Sequence, residues 1–279
     1  MERIKQAIEK VKQQRPSQVG QFDLAKSVKR GAKAISDSQQ PSALEEVSYN
    51  QTRVVKLQVE HLEKNRIVAF NKSDQKSMVF DLLRTQVLQK MEENGWRTLA
   101  ITSPCAEAGK TVVAINLAMS IAQQTNKSAL LVDFDLRRPK IGAYLGISME
   151  KSLNDLLDGT AELSDVLVNP DMPRLVVLAT KSPVKNSTEI LSSNQVANMI
   201  KDLRESFESR IIIIDLPPLL VTDDAIALLP QIDCVLMVVA NGMSSKREIE
   251  DSLHHLKAAN LIGTILNKAE IEPGAYYYY

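Results

Sequence analysis

Three short motifs hold the residues whose types and spacing could do chemistry. The first is Gly109-Lys110-Thr111, preceded by Pro104-Cys105-Ala106-Glu107-Ala108 and followed by Val112. Backbone N–H groups at a helix start bind phosphate oxygens, a lysine reaches terminal phosphates, and a threonine hydroxyl ligates Mg²⁺. Positions 106–112 are therefore a candidate phosphate cradle. The second motif is Asp133 and Asp135, at the end of the apolar run Ala129–Val132. Two apart on an extended chain, they point the same way. They could share a metal or divide metal binding and proton acceptance, with Arg137 and Arg138 close by to pair with them or with phosphate. In the third, Asp215 follows Ile211–Ile214, a place suited to holding Mg²⁺. Each aspartate alone could equally cap a helix or close a turn. All three beside one phosphate loop are harder to read that way.

A cluster of another kind is Tyr276, Tyr277, Tyr278 and Tyr279, four of the six tyrosines. Pro273-Gly274 disconnects it from the preceding apolar run. Each phosphate added there would bring a charge of about −1.5 to −2. The bland alternative is a sticky apolar tail. The phosphate loop also departs from the usual pattern, because Pro104 stands where a glycine is expected five residues before Gly109. Glu107 must point outward if anionic phosphate is to bind beside it.

The elements that must position these residues follow from the apolar runs. Strands are expected at Leu99–Thr102, Leu130–Asp133, Leu175–Leu178, Ile211–Asp215, Val235–Val239 and Ile262–Leu266. Helical spacing lies between them, as at Val112–Gln124 and Gln195–Ser206, and another helical pattern, Met78–Met91, leads into the first strand. Strands apolar on both faces and separated by helices imply an α/β fold: a doubly wound, mostly parallel sheet with helices on both faces. In such sheets ligands sit at the carboxyl ends of the strands, where all three motifs fall.

Residues 1–75 have a different composition. Ile4, Ala7, Ile8 and Val11 fit a short amphipathic helix, and the Ser-, Gln- and Lys-rich stretch after Pro16 suits a solvated arm. Lys26, Lys29, Arg30 and Lys33 would share a helix face that could dock on an acidic partner or an anionic membrane. The division expected is an arm over 1–75, an α/β domain over 76–272 and a tyrosine tail over 273–279. The 34 basic residues balance 34 acidic ones, which argues against a nucleic-acid partner. Cys105 and Cys234 form no disulfide framework or metal spacing, so a reducing, cytoplasmic compartment is expected. No apolar run approaches the ~20 residues of a spanning helix. Any membrane association would be peripheral.

The ordered set SPCAEAGKT, LLVDFDLRRP, IIIIDLPP and a terminal tyrosine cluster resembles the bacterial tyrosine kinases, P-loop autokinases that control polysaccharide export and polymerisation. The resemblance covers roughly residues 78 to 279, and Glu189-Ile190-Leu191, Asp224-Ala225 and Leu266-Asn267 extend it. It implies a P-loop NTPase fold of the MinD/ParA type, with ATP and Mg²⁺ as cofactors. Lys110 would bind and activate the transferring phosphoryl group; Thr111, Asp135 and Asp215 would surround the metal. Asp133 would be the base, and Asn267 would contact adenine. Tyr276–Tyr279 would accept phosphate from a neighbouring subunit; from Glu272 the tail spans at most ~23 Å, short enough to need a close neighbour.

The family's oligomer motif, Glu-x-x-Arg-x-x-Arg, falls on Met78, Asp81 and Arg84, and only the last matches. The glycine-poor loop around Ala106 and Glu107 could slow turnover. Many members carry a fused transmembrane activator; with none here, a separate membrane-embedded polysaccharide co-polymerase or activator is the implied partner, holding the chain at the inner face of the membrane. Two other readings stay open. A MinD/ParA-type ATPase would have a second lysine where Cys105 stands and no use for a tyrosine tail. A non-catalytic nucleotide-binding scaffold would tolerate the altered loop but would not need Lys110 and all three aspartates.

Overall fold

A computed structural model describes residues 52–124, 126–206 and 209–269. The expected helix near Ile4–Val11, the basic stretch through Lys33 and the tyrosine cluster lie outside them. Among the described residues there are eight strands: β1 (Arg53–Val54), β2 (Thr98–Thr102), β3 (Ser128–Asp133), β4 (Val168–Asn169), β5 (Leu175–Leu178), β6 (Arg210–Asp215), β7 (Cys234–Ala240) and β8 (Leu261–Asn267). They form one sheet in the order β1-β4-β5-β3-β6-β2-β7-β8. The six expected strands are all present and pair in parallel. The two short additions form one edge, where β4 runs antiparallel to β5 and β1 pairs in parallel with β4.

The helices are α1 (Val59–Lys64), α2 (Ser77–Glu93), α3 (Lys110–Gln124), α4 (Ile141–Leu145), α5 (Leu153–Leu157), α6 (Leu163–Val166), α7 (Ser187–Leu191), α8 (Asn194–Glu205), α9 (Asp224–Leu228) and α10 (Lys246–His255). Successive strand residues point to opposite faces, and the core divides accordingly. Leu99, Ile101, Leu131, Ile211 and Ile213 enter one cluster with α2 and α3. Ala100, Leu130, Val132, Ile212 and Ile214 enter the other, with Val196, Ile200 and Leu203 of α8. Burial on both faces explains why these strands are continuously apolar rather than alternating. Each isoleucine of β6 is at most 3% exposed, worth about 1.5–3 kcal/mol when fully buried. Helix α3 is buried nearly all round, with Ile115, Leu117, Met119 and Ile121 fully covered.

Residues 52–75 are seated on the α/β layer rather than free of it. Leu62, Ile67 and Ala69 are buried in the α2–α3 cluster. The fully buried Asn116 of α3 holds this segment. Its Oδ1 accepts from the N–H groups of Val68 and Ala69 (2.8 and 2.9 Å), and its Nδ2 donates to the carbonyls of Arg66 and Val112 (3.1 and 2.8 Å). The compact unit therefore starts before the expected boundary at 76. Apolar burial and this buried amide together hold the segment. On α2, Asp81 pairs with Arg84 (2.8 Å), and both bond the Ser120 hydroxyl (2.7 and 3.1 Å). The two charged positions nearest the oligomer motif are thus engaged within the chain, while Met78, Val79 and Leu82 stay exposed.

Candidate active site

The three motif-bearing strands are neighbours, in the order β3, β6, β2. Their register places Asp133 opposite Asp215, and Ile101 of β2 opposite Asp215 on the other side. Both carboxylates therefore stand at one level at the carboxyl end of the sheet, beside the loop that leaves β2 and enters α3.

Lys110 and Thr111 open α3 and meet these acids. The Lys110 ammonium lies 2.8 Å from Asp135 Oδ2, 3.5 Å from Asp215 Oδ1 and 3.4 Å from the Thr111 hydroxyl. Thr111 donates to Asp215 Oδ2 at 2.6 Å. Asp133 is held by backbone: Oδ2 accepts from the N–H groups of Lys140 and Ile141 (3.1 and 3.0 Å), and Oδ1 accepts a longer bond from Asp135 N–H (3.3 Å). Asp135 Oδ1 in turn accepts from Arg138 N–H (3.0 Å). The loop after β3 thus curls round its two aspartates and aims them at α3.

Asp133 is fully buried, and its carboxyl is held well above the usual carboxylate range, first by burial and then by the charge of Asp215. Asp215 is also raised by burial, against the opposing pull of Lys110 and of the Thr111 hydroxyl. Burial is the largest influence on Lys110 and pulls it down, but Asp215 and Asp135 together hold it above its ordinary value. The ammonium is therefore charged, and two acids compete for it.

The phosphate loop keeps its shape by local devices. Gly109 has φ +93°, and an added Cβ would lie 2.2 Å from Asn267 Nδ2. That amide donates to the Ala108 carbonyl at 2.8 Å, so Asn267 braces the loop from the end of β8. Glu107 is exposed in the left-handed region, at φ +62°, so its carboxylate turns outward as expected. Cys105 and Cys234 are both free; burial pushes the Cys234 thiol up to about 12.

Lys110, Thr111, Asp133, Asp135 and Asp215 are brought together, with Ala106, Glu107, Ala108, Gly109 and Val112 in the loop and first turn and Asn267 against it. Tyr276–Tyr279 lie outside the described residues. Thr111, Asp135 and Asp215 present hard oxygen atoms around a point already occupied by a cationic group, which fits Mg²⁺. Among the described residues no acidic, histidine or cysteine side chains form a cation cage. The set fits an ion held largely by phosphate and water.

Sequence reasoning missed one constellation. Arg137 turns away from Asp133 and Asp135 and pairs with Asp224 through Nε (3.0 Å) and Nη2 (3.3 Å). Ser187 donates to the same carboxylate (2.7 Å), and Thr188 bonds it as well. Burial works against the charge on Asp224, but Arg137 and these hydroxyls overcome it and hold the carboxyl low. The knot joins the loop after β3 to the starts of α7 and α9. Its members are 87 and 37 residues apart, and no local spacing signals that.

Residues 97–267 match the AAA domain family. The tyrosine-protein kinase CpsD of Streptococcus pneumoniae is 33% identical over 183 residues, covering 64% of this chain and 79% of that protein. The tyrosine-protein kinase ptk of Acinetobacter johnsonii is 31% identical over 180 residues, again covering 64% of this chain. The chain spans only 24% of that protein's length. The kinase domain of the Escherichia coli tyrosine kinase ETK superposes with a TM-score of 0.69 at 25% identity, covering 81% of this chain and 93% of that domain. Among the described residues no helix is long and apolar enough to cross a membrane.

Proposed function

The chain belongs to the bacterial P-loop tyrosine kinases, and from that membership we propose that it transfers the γ-phosphoryl group of ATP to Tyr276–Tyr279 of a second copy. In this reading the transfer regulates the chain length and export of a polysaccharide, under a membrane-embedded co-polymerase or activator that keeps the chain at the inner membrane face. The observation that carries the reading is the convergence of Lys110, Thr111, Asp133, Asp135 and Asp215 at one end of the sheet.

Backbone N–H groups of the loop and the first turn of α3 cradle the phosphates. Lys110 turns from Asp135 and Asp215 to the transferring group and offsets the charge that develops on it. Asn267 contacts the adenine. Mg²⁺, held through Thr111, Asp135 and Asp215, would supply neutralising charge between the phosphates. The phenolic oxygen bonds to the γ-phosphorus, the bond to the bridging oxygen breaks, and ADP leaves. Asp133 takes the phenolic proton, a task suited to a carboxyl whose burial makes it more basic than usual.

The test is incubation with labelled ATP and Mg²⁺, followed by mass spectrometry of the peptide containing residues 276–279. Label on these tyrosines is expected, and Lys110→Met should abolish it. Mixing full-length Lys110→Met protein with active protein lacking residues 276–279 should label the former, which only transfer between molecules can do. ATP hydrolysis with unmodified tyrosines would instead identify a positioning ATPase, and nucleotide binding without either activity a scaffold.

A further inference from the structure

Among the described residues, two cations at the rim of the site have no partner of their own. The site's other cations are engaged: Lys110 by Asp135 and Asp215, Arg137 by Asp224. Arg138 is exposed and Lys140 half-buried, and neither side chain makes an ion pair or hydrogen bond among the described residues. Their positions are nevertheless fixed. Arg138 N–H donates to Asp135 Oδ1 (3.0 Å) and Lys140 N–H donates to Asp133 Oδ2 (3.1 Å), with Pro139 between them. Two free positive side chains are therefore anchored by their own backbone to two of the site's acids.

We propose that Arg138 and Lys140 form a subsite for carboxylates on the N-terminal side of the acceptor tyrosine, so that this chain selects acidic tyrosine peptides. The inference rests on the kinase reading and adds a substrate class to it. A tyrosine entering the site approaches Asp133, Asp135 and Asp215, and Lys110, engaged by two of these acids, has no free charge to offer an acidic segment. Arg138 and Lys140, without ion pairs among the described residues, can offer it. The chain's own acceptor segment has the matching chemistry: Glu270 and Glu272 precede Tyr276 by six and four residues. Four residues span at most ~14 Å, and the intervening Pro273-Gly274 permits a turn that shortens this reach. The nucleotide has its own donors in the loop N–H groups and Lys110, which leaves the rim pair for the peptide.

The experiment uses the full chain and a fluorescent peptide of residues 269–279, beside the same peptide with Glu270→Gln and Glu272→Gln. Binding is read by anisotropy and transfer by labelling. At low ionic strength the acidic peptide should bind about fivefold more tightly, the scale of two exposed ion pairs. The preference should shrink as salt rises. In Arg138→Gln/Lys140→Gln the ratio between the peptides should fall to about one. The charge-keeping Arg138→Lys/Lys140→Arg should retain the ratio, which separates lost charge from a damaged loop. Equal binding of the two peptides by the unmodified chain would overturn the proposal. So would a ratio that survives removal of both charges, or a variant that loses ATP affinity while the ratio stays unchanged. Charge-dependent binding without any label would sink the kinase reading and keep the subsite; equal labelling and binding of both peptides would do the reverse.

Discussion

Replacing Gly109 by alanine tests the claim that the phosphate loop and the end of β8 are built around each other. The residue sits at φ +93°, where a side chain costs about 1–2 kcal/mol. The added Cβ would lie 2.2 Å from Asn267 Nδ2, so the amide must leave, breaking its 2.8 Å bond to the Ala108 carbonyl. That bond is worth about 1 kcal/mol. The expected loss for Gly109→Ala is therefore about 2–3 kcal/mol, or about 4–12 °C in Tm for a domain of this size. Asn267→Ala alone should lose only the bond, about 1 kcal/mol. In the double variant that bond is lost once, not twice. Its cost should thus fall short of the sum of the single variants by about 1 kcal/mol, a coupling that denaturant or thermal unfolding of the four proteins resolves. Strict additivity would refute the reasoning, because Gly109 would then not be making room for Asn267. A Gly109→Ala protein as stable as the parent would refute it more simply.

Three further outcomes are expected. Asn116→Leu leaves two N–H groups and a carbonyl of the 66–69 segment unsatisfied, costing about 3–5 kcal/mol, and limited proteolysis should cut within residues 52–75 first; unchanged protection there would count against the tether. Asp133 keeps its proton to higher pH when folded than when unfolded, so its contribution to stability falls as pH rises from about 4 through its folded value. The Tm of Asp133→Asn minus that of the parent should accordingly climb with pH, and a flat or falling difference would contradict the assigned shift. Asp224→Asn removes a fully buried charge that Arg137, Ser187 and Thr188 all hold, so it should cost about 1.5–3 kcal/mol; a loss below about 0.5 kcal/mol in urea unfolding would mean the knot contributes little to the fold.

Much of this architecture was legible in the sequence because buried parallel strands carry a simple signal. Runs such as Ile211–Ile214 and Cys234–Ala240 are apolar on both faces and too short for helices, so existence and type followed directly. Lys110, Asp133, Asp135 and Asp215 were legible because each sits at the end of such a strand or just after it. What stayed hidden lacks local pattern. Strands β1 and β4 have two residues each, too few for any period. Residues 52–75 owe their place to Leu62, Ile67 and Ala69 together with Asn116, whose bonds to that segment no local spacing signals. Arg137 next to two aspartates looked like their partner, but backbone N–H groups hold Asp133 and Lys110 pairs with Asp135, while the guanidinium goes to Asp224.

The strand order also dictates when the site can come into being during synthesis. Strand β2, which launches the phosphate loop, lies between β6 and β7, and neither exists until residues 210–215 and 234–240 have left the ribosome. Throughout that interval the nascent chain carries an apolar strand with both edges unpaired, beside an apolar helix, the kind of surface that invites aggregation. In the proposed kinase reading ATP would act as a folding ligand only after β6 delivers Asp215, so a chain stalled or cleaved before that point should be a client of chaperones and proteases rather than a weak enzyme.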